Sequence, residues 1–143
     1  MKKILATAMF AIAFFLSACG GGGNAAPAGP STLQITDTTV GTGVTAVVGN
    51  TVTVNYTGWL YSGSAVNFQG AQFDTSIGKQ PYSFKLGSGQ VIAGWDQGVA
   101  GMKVGGTRTL IIPASLAYGS TGVAGVIPAN AALVFTVDLL TVQ

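Results

Sequence analysis

Apolar and polar positions alternate along the middle and C-terminal parts of the chain. In Thr51–Leu60, Val52, Val54 and Tyr56 fall on one side and Thr51, Thr53 and Asn55 on the other, the period of two that marks a half-buried strand. Gly41, Gly43, Gly49 and Asn50 punctuate the chain before it. Strand-like runs also open at Leu33, at Gln72–Ser76, after a turn within Lys79–Leu86, and at Thr107–Pro113. Ala132–Val142 closes the series, with Leu133, Phe135, Val137 and Leu139 sharing a face. Tyr61–Gly70 and Ala114–Ala131 read as connections rich in Gly, Ser and Pro. One stretch breaks the period: in Gly89–Met102, Val91, Trp95, Val99 and Met102 recur at helical spacing, with Ile92 beside them. Gly94, Gly98 and Gly101 each weaken such a helix by about 1 kcal/mol relative to Ala. Packing must therefore hold it, and the glycines permit close approach to a sheet. Strands without a β-α-β rhythm around one helix predict an α+β fold, an antiparallel half-barrel sheet wrapped around a short helix over residues 32–143.

The amino-terminal pattern is different. Lys2 and Lys3 precede the apolar run Ile4–Leu16, which is short against the ~20 residues of a membrane-spanning helix and has the form of a secretory signal over residues 1–18. Leu16-Ser17-Ala18-Cys19-Gly20 resembles a bacterial lipobox, in which Cys19 becomes the lipid-bearing first residue; the plainer reading is a signal peptide with an incidental Cys. Cys19 is the sole cysteine, and an unpaired thiol in an oxidising compartment otherwise needs explaining. Residues 19–31 then form a Gly/Ala/Pro tether. The expected location is the bacterial cell envelope, with the domain lipid-anchored to a membrane it does not span. Gly20 lacks the acidic retention signal that holds such lipoproteins at the inner membrane, which favours the outer membrane, facing the periplasm or the cell surface.

Charge and composition exclude several chemistries. Of 143 residues only 7% are charged; there is no His, and the acids are Asp37, Asp74, Asp96 and Asp138. Zinc sites want clustered His and Cys, and a Ser or Cys nucleophile system wants a His. No two acids lie close in sequence as a hydrolytic pair would suggest. Without residues 1–18, Lys79, Lys85, Lys103 and Arg108 balance the four Asp, so no basic footprint for nucleic acid remains. No metal or cofactor is expected, and any catalysis should need no general base. Lys103 and Arg108 read as a solvated face.

Three segments in order, VNYTGWL, QFDTSIGKQPYSFKLGSGQVIAGWDQGVAGMKVGGTRTLIIP and LAYGSTGVAGVIPANAALVFTVDLL, resemble the FKBP-type peptidyl-prolyl isomerases over Thr51–Leu140. The resemblance implies a pocket that holds a proline ring. Trp95 would be its floor, Tyr56 and Phe73 its walls, and Tyr82 and Phe135 the rest of its aromatic lining. Val91 and Ile92 would shape one side, with the Ile92 N–H binding a substrate carbonyl. Asp74 would sit at the polar end near Tyr56, Tyr118 would donate its hydroxyl to a carbonyl, and Ile127 would cover the pocket. Taken singly, Trp95, Tyr82 and Phe135 are equally core residues, and Asp74 a turn residue. The implied partners are proline-containing, unfolded or partly folded polypeptides and tacrolimus-like macrolides.

The sequence departs from the family in places. The connection around SAVNFQGA is longer than in compact members. The Asp74–Pro81 segment is slightly shorter and lacks the family's frequent arginine, for which Lys79 is a poor match. Val123 stands where a histidine is common. A short loop before Ile127 leaves no room for an inserted chaperone domain, and a monomer is expected. The competing readings are a non-catalytic module that binds proline-containing segments and a structural envelope lipoprotein with a degenerate pocket.

Overall fold

The computed structural model describes residues 29–143. The signal segment, Cys19 and the tether as far as residue 28 lie outside the described residues. Six strands form one antiparallel sheet: β1 Gln34–Thr39, β2 Thr51–Tyr61, β3 Gln69–Thr75, β4 Tyr82–Lys85, β5 Thr107–Ile112 and β6 Leu133–Val142. Their order is β1-β5-β6-β2-β3, and β4 pairs with β2. β2 is long enough to serve two partners along one edge: Thr51–Val54 pairs with β4 and Thr57–Tyr61 with β3. The single α-helix among the described residues, α1 Ala93–Gly98, lies between β4 and β5 in sequence. This is the α+β arrangement expected from the strand and helix periods.

The core forms where those periods meet. Val52 and Val54 of β2, Leu110 and Ile112 of β5, and Leu133, Phe135, Val137 and Leu139 of β6 are buried against Trp95, Val99 and Met102. β6 lies between β5 and β2, and Val134, on its other face, is as buried as its neighbours. Close helix–sheet contact depends on two glycines. A Cβ on Gly98 would lie 2.7 Å from Leu110 Cδ2, and one on Gly94 would collide with Ile112.

Three details differ from the sequence expectation. First, the helix is a short core of the apolar-periodic stretch. Ile92 is its extended N-cap, and Gly101 lies beyond its end at φ +88°, a left-handed backbone that glycine adopts without steric cost. Second, Arg108 is not on a solvated face. It is buried, with Nε 2.6 Å from Asp37 Oδ1 and Nη2 donating to Asp37 Oδ2 at 3.0 Å. Its Nη1 donates to the carbonyls of Gly98 (2.8 Å) and Ala100 (3.1 Å), so it caps the C-terminal end of α1 where orphan carbonyls and the helix dipole favour a cation. The guanidinium holds the Asp37 carboxyl below its ordinary range, chiefly by hydrogen bonding. Lys103 is exposed. Third, the chain packs before residue 32: Gly29 lies against Ala132 and Tyr61, too close for a Cβ.

Candidate active site

Beside α1 the sheet leaves a cleft of about 260 Å³, walled by Tyr56, Phe73, Asp74, Tyr82, Gln90, Val91, Ile92, Trp95, Tyr118 and Phe135. Trp95 is its centre. The Tyr56 ring lies 5.0 Å away at 80°, Phe135 5.2 Å away at 88°, and Phe84 and Tyr82 at 5.6 and 6.2 Å. Edge-to-face pairs of this kind contribute about 0.5–1.5 kcal/mol each beyond buried area. The indole N–H is buried with no hydrogen-bond partner among the described residues, a cost that the packing of the cluster must exceed.

The walls are positioned by strand geometry. Gly58 pairs with Asp74 and Trp59 with Gln72, leaving Phe73 as the extra residue of a β-bulge that re-aims its side chain. The Phe73 ring meets Phe135 at 5.6 Å and 87°. Gly58 makes the room: a Cβ there would lie 2.6 Å from Phe135 Cε1 and 2.8 Å from Phe73 Cζ. At the polar end the Tyr56 hydroxyl donates to Asp74 Oδ2 at 2.6 Å, and Asp74 Oδ1 accepts the Thr75 N–H at 2.9 Å. The buried Ser76 accepts the Tyr56 N–H at 2.9 Å and donates to Asn55. Desolvation first, then the Asp74 hydrogen bond, push the Tyr56 hydroxyl pKa up. Burial, then the Asp74 charge, raise that of Tyr118. Both hydroxyls therefore stay protonated donors well above neutral pH.

The opposite side hangs on a carboxylate of α1. Asp96 Oδ1 accepts the Gly87 N–H at 2.8 Å and Oδ2 the Gly89 N–H at 3.1 Å. Gln90 Oε1 accepts the Lys85 N–H at 2.9 Å. The loop so held carries Gln90, Val91 and Ile92 into the wall. Neither the Ile92 N–H nor the Tyr118 hydroxyl has a partner among the described residues.

Of the residues singled out from sequence, Tyr56, Phe73, Asp74, Tyr82, Val91, Ile92, Trp95, Tyr118 and Phe135 meet in this cleft. Ile127 does not. It is buried, bridges Val123 and lines a separate shallow groove with Leu60 and Val126, because the turn at Val123–Val126 folds it under its own loop. None of the longer 61–72 connection lines the cleft. Sequence reasoning missed Gly58, Ser76, Gln90 and Asp96. Gly58 was findable, since a glycine inside an alternating strand signals a bulge or close approach. The other three carry no local signal.

The described residues hold no cluster of His, Cys, Asp or Glu able to bind a metal. The one carboxylate in the wall is held by a tyrosine hydroxyl and a backbone amide. The arrangement is an apolar aromatic slot with two free donors at its mouth. It suits an apolar ring flanked by carbonyls, not proton abstraction.

Comparison with known proteins converges on the same chemistry. Residues 43–140 match the family described as FKBP-type peptidyl-prolyl cis-trans isomerase. The chain is 49% identical over 111 residues to an FK506-binding protein of Neisseria meningitidis serogroup A, covering 77% of this chain and 95% of that one. It is 49% identical over 115 residues to an FK506-binding protein of Streptomyces anulatus, covering 79% and 88%. It is 48% identical over 110 residues to FK506-binding protein 1 of Dictyostelium discoideum, covering 76% and 96%.

Proposed function

The chain belongs to the FKBP-type peptidyl-prolyl cis-trans isomerase family, and on that premise we propose that the cleft around Trp95 accelerates X–Pro rotation in polypeptides of the bacterial envelope. The observation that carries this reading is the enclosed aromatic cluster with the unpaired Tyr118 hydroxyl and Ile92 N–H at its mouth.

The uncatalysed bond interconverts in tens to hundreds of seconds because amide resonance must be lost at the top of the barrier. The twisted amide is less dipolar than either planar form. An apolar slot therefore disfavours the planar forms relative to the twisted one, which is selective stabilisation of the transition state. Trp95 provides the floor for the proline ring, with Tyr56, Phe73, Tyr82 and Phe135 around it. Tyr118 and the Ile92 N–H hold flanking carbonyls, so the chain on either side is fixed while the bond turns. Asp74 keeps Tyr56 in place and supplies a local negative field. Each 1.36 kcal/mol of selective stabilisation is about tenfold in rate, so the acceleration is shared among residues.

Lys2, Lys3, the apolar run and Leu-Ser-Ala-Cys support the further reading that Cys19 carries a lipid anchor and that the monomeric domain works at the outer membrane. Macrolides of the FK506 kind would compete for the slot.

The test is the cis-to-trans relaxation of a short Leu-Pro or Phe-Pro peptide in a protease-free assay, using the full chain in mild detergent with and without FK506. Acceleration blocked by the macrolide is the expected result. Binding of FK506 without acceleration would replace the enzyme by a docking module, and neither would leave a structural lipoprotein.

A further inference from the structure

The longer connection after β2 has no part in the cleft, yet it exposes apolar side chains. It overshoots as a tight tip, Ser62–Phe68, closed by the Ser62 N–H on the Phe68 carbonyl at 2.9 Å and the Phe68 N–H on the Ala65 carbonyl at 3.0 Å. The Phe68 ring stacks on Tyr61, centroids 5.4 Å apart and planes at 11°. Val66 is 82% exposed and Phe68 42%. Asn67 and Phe68 both take left-handed backbone, φ 54° and 60°. For a residue as bulky as Phe this costs about 1–3 kcal/mol, and here it is spent on holding an aromatic ring outward. No charged residue occurs between Asp37 and Asp74, so the tip is wholly neutral.

The position of the tip identifies its occupant. The chain enters the domain at Gly29, packed on Ala132 and against the same Tyr61 ring. Ten peptide steps separate Gly29 from Cys19 and reach at most about 35 Å. A lipid on Cys19 would keep this end of the domain within that distance of the bilayer. We infer that the Tyr61–Phe68 stack and Val66 form a membrane-contact tip that docks in the interfacial layer of the bilayer to which the chain is anchored. Tyrosine and other amphipathic aromatics favour that layer, and an uncharged tip pays no ion-desolvation penalty on entering it. Docking there sets the orientation of the enzyme. Tyr56 lies five residues back along β2, about 17 Å from Tyr61, so the cleft stands clear of lipid and open to clients.

The inference rests on the lipid-anchor reading, and one experiment separates the two. The full chain is purified from membranes, its mass is checked for acylation at Cys19, and it is reconstituted into phosphatidylethanolamine–phosphatidylglycerol vesicles. An environment-sensitive fluorophore is placed at Val66→Cys or, for comparison, at Val48→Cys, which lies just before the opposite end of β2 and is 68% exposed. Spin-labelled lipid should quench the probe at 66 severalfold more than at 48, with a blue shift. Phe68→Ser should abolish the difference, while phosphatidylcholine vesicles should preserve it because no charge is involved. Peptide turnover should be unchanged in all three variants, confirming that each is folded. A lipidated chain quenched equally at both positions overturns the docking tip and leaves the anchor intact. Emission that follows protein density instead of lipid assigns the tip to a second copy of the chain and overturns the inference. A chain without acyl mass overturns both.

Discussion

Two aromatic groups sit along β2, and they illustrate opposite uses of the same side chains. Around Trp95, rings from four strands and α1 meet, mostly edge to face, with Trp95, Phe84 and Phe135 buried and Tyr82 at the open rim. At the far end of the strand, Tyr61 and Phe68 stack face to face with solvent around them. The first group is over-determined. A bulge aims Phe73, Gly58 clears space, and Asp74, Ser76 and Asp96 fix the frame. Removing any member leaves a hole. The second is determined by one strained turn and touches no core, so removing it costs the fold little. Aromatic content alone therefore says nothing about a site; enclosure and directed donors do.

Substitutions in the two groups and their supports differ widely in expected effect, the largest at Trp95. Trp95→Ala should destabilise the fold by about 3–5 kcal/mol and abolish FK506 binding, read by urea unfolding and titration calorimetry; a loss under about 1 kcal/mol would mean the fold does not depend on the cluster. Arg108→Ala strips the C-terminal end of α1 of its cation and should cost about 2–4 kcal/mol, with Trp95 emission shifting in a Trp59→Phe background as the helix loosens. Tyr118→Phe and Asp74→Asn should each lower kcat/KM about tenfold with the unfolding midpoint nearly unchanged, whereas Lys103→Ala should change neither. The Asp37 carboxyl is held below its ordinary value of 3.8 by Arg108. Its contribution to stability is present above pH 3.8 and lost as pH falls through the lowered folded value, so Asp37→Asn should flatten the acid limb of the stability profile. Smallest of all, Phe68→Ser should alter stability by less than about 1 kcal/mol and leave turnover of a short peptide intact.

Much of this was legible in one dimension. Period-two runs located β2 and β6, and helical spacing located α1 near Trp95, because burial on one face imposes that pattern wherever a strand or helix lies on a core. The motif order brought nine of the cleft residues together. The misreadings share a cause. Arg108 looked solvated because charge is solvated by default, and only the folded chain brings Asp37 and two helix-end carbonyls to it. Ile127 was expected to cover the pocket only through the resemblance, while the turn at Val123–Val126 tucks it under its own loop. Asp96 and Ser76 gave no local signal because they accept from backbone amides distant in sequence, and which amides a side chain meets is decided only when the chain folds.

Sequence alone carried the element types, the apolar faces, the lack of histidine and the family. The tertiary structure decided where the polar groups point. It turned Phe73 inward through a bulge, buried a cation under a helix, and left the Phe68 ring outside beside the entry of the chain. The physical reason is the range of the forces. Hydrophobic burial is non-directional and leaves its periodicity in the chain, whereas hydrogen bonds, ion pairs and ring geometry are directional and are specified only by distant residues brought to within a few ångströms.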